Sequence, residues 1–187
     1  MTRISTLAAI FFAVCLLAIA QTPKNFTQGN LSFDYPEGWT VQDAGNDDAQ
    51  QFNLAKPNSD VQIRIFVHKG RISEEKLADA KKAFIDPYIA ATMKQFVAMG
   101  AKPEQVPDVS EIGGVKADGV SINASLGGEA GAAKIYWAVV GQRVAVLTIF
   151  GPDKERKQLA PAWDMIRTSL KVVDPKAAPA ASPKASP

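Results

Sequence analysis

Thiols and imidazoles are nearly missing from this chain. Its 187 residues include one cysteine, Cys15, and one histidine, His68. A single thiol excludes an internal disulfide, and this pair cannot supply the nitrogen and sulfur ligands that zinc usually takes. Charge of one sign is also lacking. Lys and Arg number 21 against 19 Asp and Glu, a formal net charge of +2. That balance is no footprint for nucleic acid or for an anionic membrane surface. Long apolar runs are absent too. The longest, residues 7–20 with LAAIFFAVCLL at 7–17 as its core, falls short of the ~20 residues that span a bilayer.

What is present begins with that short run. Arg3 and the terminal amine precede it, and Ala18-Ile19-Ala20 closes it with small residues at the −3 and −1 positions. This is the layout of a cleavable signal peptide over residues 1–20, cut between Ala20 and Gln21. Phe12-Ala13-Val14 before Cys15 makes a poor lipobox, and the run is too short for a retained anchor. The expected product is a bacterial periplasmic or secreted protein. Cleavage removes the one cysteine and Arg3, leaving a charge of about +1. At the other end residues 174–187 read DPKAAPAASPKASP. Such a Pro/Ala/Ser-rich segment cannot build a core and is expected to be a disordered tail.

One domain fits between residues 25 and 173, with no internal repeat. Leu31-Ser32-Phe33-Asp34-Tyr35 alternates as a strand, and Pro36-Glu37-Gly38 turns it. Trp39 and Val41 begin another short strand, and Phe52 and Leu54 mark a third. The clearest alternation sets Val61, Ile63, Ile65 and Val67 against Gln62, Arg64, Phe66 and His68. Ser73 is then a helix N-cap, followed by a stripe of Leu77, Phe84, Tyr88, Met93, Phe96 and Val97. Pro87 must kink or split this helix, and Gly100 stops it.

The second half reads as a meander. Gly113-Gly114, the segment from Gly127 to Gly131, and Gly141-Gln142 are its turns. The strand from Val144 to Phe150 is apolar on both faces, so both faces must be covered. The covers are the helix from Ser73 and a C-terminal helix carrying Leu159, Trp163, Ile166 and Leu170. The expected class is α+β: an α/β/α sandwich with a mainly antiparallel central sheet of six to eight strands. Turns this short cannot join parallel strands, which excludes a doubly wound nucleotide fold.

Catalytic signals are weak. A hydrolase built on His68 lacks a Gly-x-Ser-x-Gly elbow to mark its nucleophile. His68 reads instead as a strand-end residue beside Lys69. Asp43, Asp47 and Asp48 are the best oxygen cluster for calcium, but DAGNDD misses the calcium-loop spacing. The glycines from Gly127 to Gly131 lack the Lys-Ser/Thr that ends a phosphate loop. Asn25 and Asn123 match the glycosylation pattern by chance, since the leader is of bacterial type. Trp39, Trp137 and Trp163 lie in phase with apolar neighbours, as core residues do. For a small apolar ligand held between sheet and helix, the candidates are Met93, Phe96 and Trp163.

The opening LSFDYPEGWTV resembles the "apolar-x-apolar-x-Tyr-Pro-x-x-Trp" start of PsbP/DcrB-like domains. The close is also similar: a strand from Arg143 to Phe150, then a helix ending in Ile166-Arg167-Thr168-Ser169-Leu170. The resemblance covers nearly the whole mature chain. It implies a compact α/β/α sandwich and a binding or assembly-factor module, with no shared catalytic residues to carry over. Members include an extrinsic photosynthetic subunit, exported bacterial proteins and a nuclear binder of the Ran GTPase. The expected function is therefore a non-enzymatic, exported module of the cell envelope, without a cofactor and with an envelope protein partner. Carriage of a small apolar ligand is the second expectation, and hydrolysis through His68 the third.

Overall fold

The computed structural model describes residues 23–173. The expected leader, its cleavage point and the 174–187 tail lie outside the described residues. No described helix is long and apolar enough to cross a membrane.

Among the described residues ten strands form two sheets. Seven of them make an antiparallel sheet: β3 (Thr40–Asp43), β4 (Ala49–Ala55), β5 (Gln62–His68), β6 (Glu104–Ile112), β7 (Val115–Leu126), β8 (Glu129–Val140) and β9 (Arg143–Pro152). Their spatial order is β3-β4-β5-β9-β8-β7-β6. The chain runs inward through β3, β4 and β5, crosses by a helical segment to the far edge, and returns through the meander to pair β9 with β5. Pro107 lies on the edge strand β6, where one side of the backbone needs no partner.

The alternation along β5 is obeyed in full. Val61, Ile63, Ile65 and Val67 are completely buried on one side, and Phe66 packs on the other. In β9, Ala145, Leu147 and Ile149 join the first face, while Val144, Val146 and Phe150 join the second. Each face is covered. Helix α4 (Ala160–Ser169) brings Ala162, Trp163 and Ile166 onto the first. It follows α3 (Asp153–Gln158), and Pro161 sits in its opening turn, where the missing N–H has no role.

The second face is covered by a segmented helix. A 3-10 turn (Glu74–Lys76) leads into α1 (Leu77–Ala80), a π turn (Lys81–Ile85) and α2 (Asp86–Ala98). The π turn stands directly before Pro87, whose ring would clash with a carbonyl four residues back in regular α geometry. It also carries an extra residue and rotates the apolar stripe. Ile85 and Ile89 become buried, Phe84, Tyr88, Met93 and Phe96 pack partly against the sheet, and Val97 is 60% exposed. Val97, nine residues on from Tyr88 and so half a turn round α2, leaves the predicted stripe. Ser73 occupies the N-cap with extended backbone, but its hydroxyl makes no capping bond.

The alternation at residues 31–35 belongs to a second sheet rather than to the central one. Strand β2 (Leu31–Pro36) lies between β1 (Pro23–Gln28) and β10 (Lys171–Val172). This sheet packs beside α4 on the first face. Phe33 is fully buried there, with ring centroids 4.9 Å from Phe26 and 6.2 Å from Phe52 of the main sheet. The Asp34 N–H donates to Ser169 Oγ at 2.8 Å, tying β2 to the end of α4. The Gly127-Gly128 pair alone makes the second meander turn, since Glu129 already begins β8.

A polar lock crosses three strands on the α4 face. Asp108 of β6, Gly119 of β7 and Tyr136 of β8 share one cross-strand row. Because Gly119 has no side chain, the Tyr136 hydroxyl reaches over it and donates to Asp108 Oδ2 at 2.7 Å; Lys134 Nζ donates to the same oxygen at 3.0 Å. Burial pushes the Tyr136 phenol well above its ordinary range, and the Asp108 bond and charge add to this. Burial also acts to raise Asp108, but the Tyr136, Lys134 and Val109 hydrogen bonds outweigh it and hold the carboxyl below its usual value. A carboxyl lowered in the folded state stabilises above its unfolded pKa and loses that contribution as the pH falls through its folded one. Asp108→Asn should cost about 1–2 kcal/mol at neutral pH. Urea melts at decreasing pH should show the gap to wild type closing once the pH is below the ordinary carboxylate range; a gap constant with pH would contradict the lock.

Candidate functional site

Strand β5 places Arg64 on the face that α2 covers, among apolar neighbours. Its register partners are Asn53 of β4 and Thr148 of β9. Thr148 is 2% exposed, so its hydroxyl needs a partner inside the fold. Helix α2 supplies it: the Tyr88 hydroxyl donates to Thr148 Oγ1 at 3.2 Å. Arg64 donates from Nε to Asn53 Oδ1 at 3.1 Å and from Nη1 to Tyr88 Oη at 3.3 Å. Its guanidinium carbon lies 6.0 Å from the Tyr88 ring centroid. One polar row thus crosses an otherwise apolar layer, and the helix closes over it.

A cleft extends to both sides of this row, between α2 and the sheet. The larger part encloses about 680 Å³ and the smaller about 200 Å³, and both are lined by Arg64, Tyr88 and Thr148. Phe66, Phe84, Ile85 and Val146 wall the smaller part. Phe96, Met99, Leu126 and Phe150 supply apolar wall to the larger, with Gln62 and Gln95 as polar points. A volume in the hundreds of cubic ångströms, apolar walls and a few fixed polar groups are what small-molecule sites share.

The residues named from the sequence are distributed differently. Phe96 lines the cleft, and Met93 packs in the same layer. Trp163 does not join them. It is buried on the α4 face, 6.1 Å from the Tyr136 ring, with the sheet between it and α2. The two helices cover opposite faces of the sheet, so one site cannot gather all three. Trp39 and Trp137 are core residues, one in each layer.

His68 ends β5 with its ring stacked on Phe84, centroids 5.4 Å apart, and its Nδ1 accepts the Gly70 N–H at 3.0 Å. These contacts pin a strand end; they do not assemble a nucleophile, a base and an orienting carboxylate. Asp43 accepts the Gly45 N–H at 2.8 Å and Gln28 Nε2 at 2.6 Å. The Gly45 bond first, then the Gln28 bond, holds its carboxyl below the usual range. Asp47 and Asp48 stand exposed in the same loop, and among the described residues no three potential ligands gather as a metal site. Asn25 donates to Asp34 Oδ1 at 2.8 Å, and Asn123 accepts the Ser121 hydroxyl at 3.0 Å within β7.

Arg64, Tyr88 and Thr148 were not singled out from the sequence. A usable signal existed. Arg64 shares a face with Phe66 on a strand of a sheet that two helices must cover, and a charge placed there must be satisfied by something.

No protein-family model matches the chain, and no curated protein matches it in sequence. Solved structures share its fold. The cyanobacterial PsbP (CyanoP) of Synechocystis sp. PCC 6803 aligns over 83% of this chain and 95% of its own, at 14% identity and a TM-score of 0.53. A protein of Bacteroides thetaiotaomicron aligns over 82% of this chain at 13% identity and a TM-score of 0.53, and the chain spans about half (49%) of that protein's length. The Ran-binding protein Mog1p of Saccharomyces cerevisiae aligns over 83% of this chain and 97% of its own, at 10% identity and a TM-score of 0.50. At such identities the likeness is one of fold. The chain has the PsbP/DcrB-like architecture, and the mainly antiparallel central sheet expected from its strand and turn pattern has seven strands.

Proposed function

We propose that this protein is an exported, non-enzymatic binding module of the bacterial cell envelope, and that its ligand site is the cleft under α2. The observation that carries the reading is the cleft itself, about 680 Å³ in its larger part, with the Arg64–Tyr88–Thr148 row at its inner end. Fold alone does not dictate activity, and the site favours holding a molecule over transforming one. The leader-like N-terminus supports the address.

Native mass spectrometry of the protein purified from the envelope of its own host tests both parts at once. The expected mass is that of a chain beginning at Gln21, with a small apolar adduct that collisional activation removes. A chain that retains residues 1–20 overturns the exported reading, and bare protein under gentle conditions overturns the carrier reading.

Docking of an envelope protein is a second reading, favoured by Val97 and Met99. These side chains are 60% and 51% exposed at the end of α2, and Met99 also lines the cleft. Photocrosslinking from position 97 in the host envelope should then yield one discrete adduct, whereas a diffuse smear would remove this support.

A further inference from the structure

Among the described residues, Arg64 is the only cationic one lining either part of the cleft. A guanidinium carries five N–H donors, and two are used, one by Asn53 and one by Tyr88. Among the described residues no carboxylate lies within ion-pair distance of it. A partly buried charge with unspent donors favours an anion that presents two oxygens in one plane. The other charges lining the cleft are Asp60 and Glu129. Asp60 precedes Arg64 by four residues, about 13 Å along an extended chain. Glu129 opens β8 six residues before Ile135, the residue in register with Thr148, so it lies about 20 Å from the Arg64 row. The cleft is thus polarised, with a cation at the inner row and carboxylates toward the far end. Between them run Phe96, Leu126 and Phe150.

We infer that the cleft binds a single-chain carboxylate amphiphile, the class of a free fatty acid of medium length. Its carboxylate pairs with Arg64 and its chain lies along α2 toward the β7–β8 turn. One guanidinium matches one monoanion; a dianionic phosphate would call for more than the single cation present. The reversed pose sets the head group beside Asp60 and Glu129, and like charge excludes it. Tyr88 is a positioning residue, holding the guanidinium between β5 and α2.

This inference rests on the cleft being the ligand site, and the experiment separates the two. The mature chain is loaded with N-phenylnaphthylamine, a neutral fluorescent apolar probe, and titrated with dodecanoate, dodecanol or dodecyltrimethylammonium. Gln95→Trp, on the cleft wall, should abolish probe binding. Dodecanoate should displace the probe at least about tenfold more effectively than dodecanol, and the cation least of all. Arg64→Gln should erase the preference for dodecanoate over dodecanol, while Arg64→Lys should keep part of it. If Arg64→Gln does not fold by circular dichroism, the wild-type ranking of the three competitors and the lysine variant still decide. Equal displacement by dodecanoate and dodecanol overturns the Arg64 assignment and leaves the cleft reading standing. No probe binding, or probe binding unaffected by Gln95→Trp, overturns both.

Discussion

Gly119→Ala should lose about 3 kcal/mol of stability, the upper end of what overpacking a tight core usually costs. A Cβ at position 119 would stand 2.3 Å from Tyr136 Cδ1 and 2.8 Å from the Ile135 carbonyl oxygen. Neither neighbour has room to yield. Tyr136 is 4% exposed, packed against α4 and anchored at its hydroxyl by Asp108. The Ile135 carbonyl belongs to the backbone of β8, in mid-sheet. Position 119 does not need glycine's backbone freedom, because it lies inside a regular strand; it needs the missing side chain. Removing the obstacle instead of the glycine separates the causes. Tyr136→Leu loses the hydroxyl bond but opens space, so Gly119→Ala should cost distinctly less in that background. Chemical denaturation of the four proteins gives the coupling, and additive losses would show that the Tyr136 ring is not what occupies the space.

Phe33→Ala should cost about 3–5 kcal/mol, the range for deleting a fully buried aromatic ring. Phe33 is completely buried and stands between Phe26 of its own sheet and Phe52 of the main one. The small sheet's other ties to the body of the protein are Leu31 and Val172 in the same core and hydrogen bonds of Asp34 with Ser169, Gln28 with Asp43 and Gln50 with Gln28. Strand β1 is exposed along most of its length, and β10 is two residues long. Removing the ring should therefore loosen β1, β2 and β10 before the rest. Hydrogen exchange should show amides of residues 23–36 and 171–173 losing protection while those of β8 and β9 keep theirs. Uniform loss across both sheets would mean that the two unfold as one unit. Mobility of β10 would also reach two hairpins. A Cβ at Gly113 would lie 2.2 Å from the Leu170 carbonyl oxygen, and one at Gly141 2.0 Å from that of Val172. Both turns are seated under the returning chain and both residues have positive φ, so alanine at either would be strained twice over.

Much of this was open to reading along the chain, and the reason is local. The strict alternation from residue 61 to 67 marks a buried strand without reference to anything distant. Both apolar faces of 144–150 demand a cover on each side, and the chain holds just two amphipathic segments to provide them. Turn chemistry at residues 113–114 and 141–142 forces antiparallel neighbours. These features determine the sandwich and the placing of α4 opposite the segmented helix. Composition, in the same way, bears on address and chemistry: one thiol, one imidazole and one short apolar run at the N-terminus.

Other features exist only because distant segments meet. Strand β1 carries no apolar alternation, and its partners lie in the next strand and, through β2, at residues 171–172. No window along the sequence contains that sheet. Val97 left the stripe because nine residues of regular helix set it half a turn from Tyr88, and only the seating of Tyr88 on Thr148 decides which side of α2 faces the sheet. Trp163 parted from Met93 and Phe96 because a sheet lies between two helices that look alike in sequence. The cleft is the clearest case. Arg64, Tyr88 and Thr148 are separated by 24 and 60 residues along the chain. Each alone is an ordinary strand or helix residue. Register brings Arg64 beside Thr148, and helix packing lowers Tyr88 onto them, so the charge that marks the site has its meaning only in three dimensions.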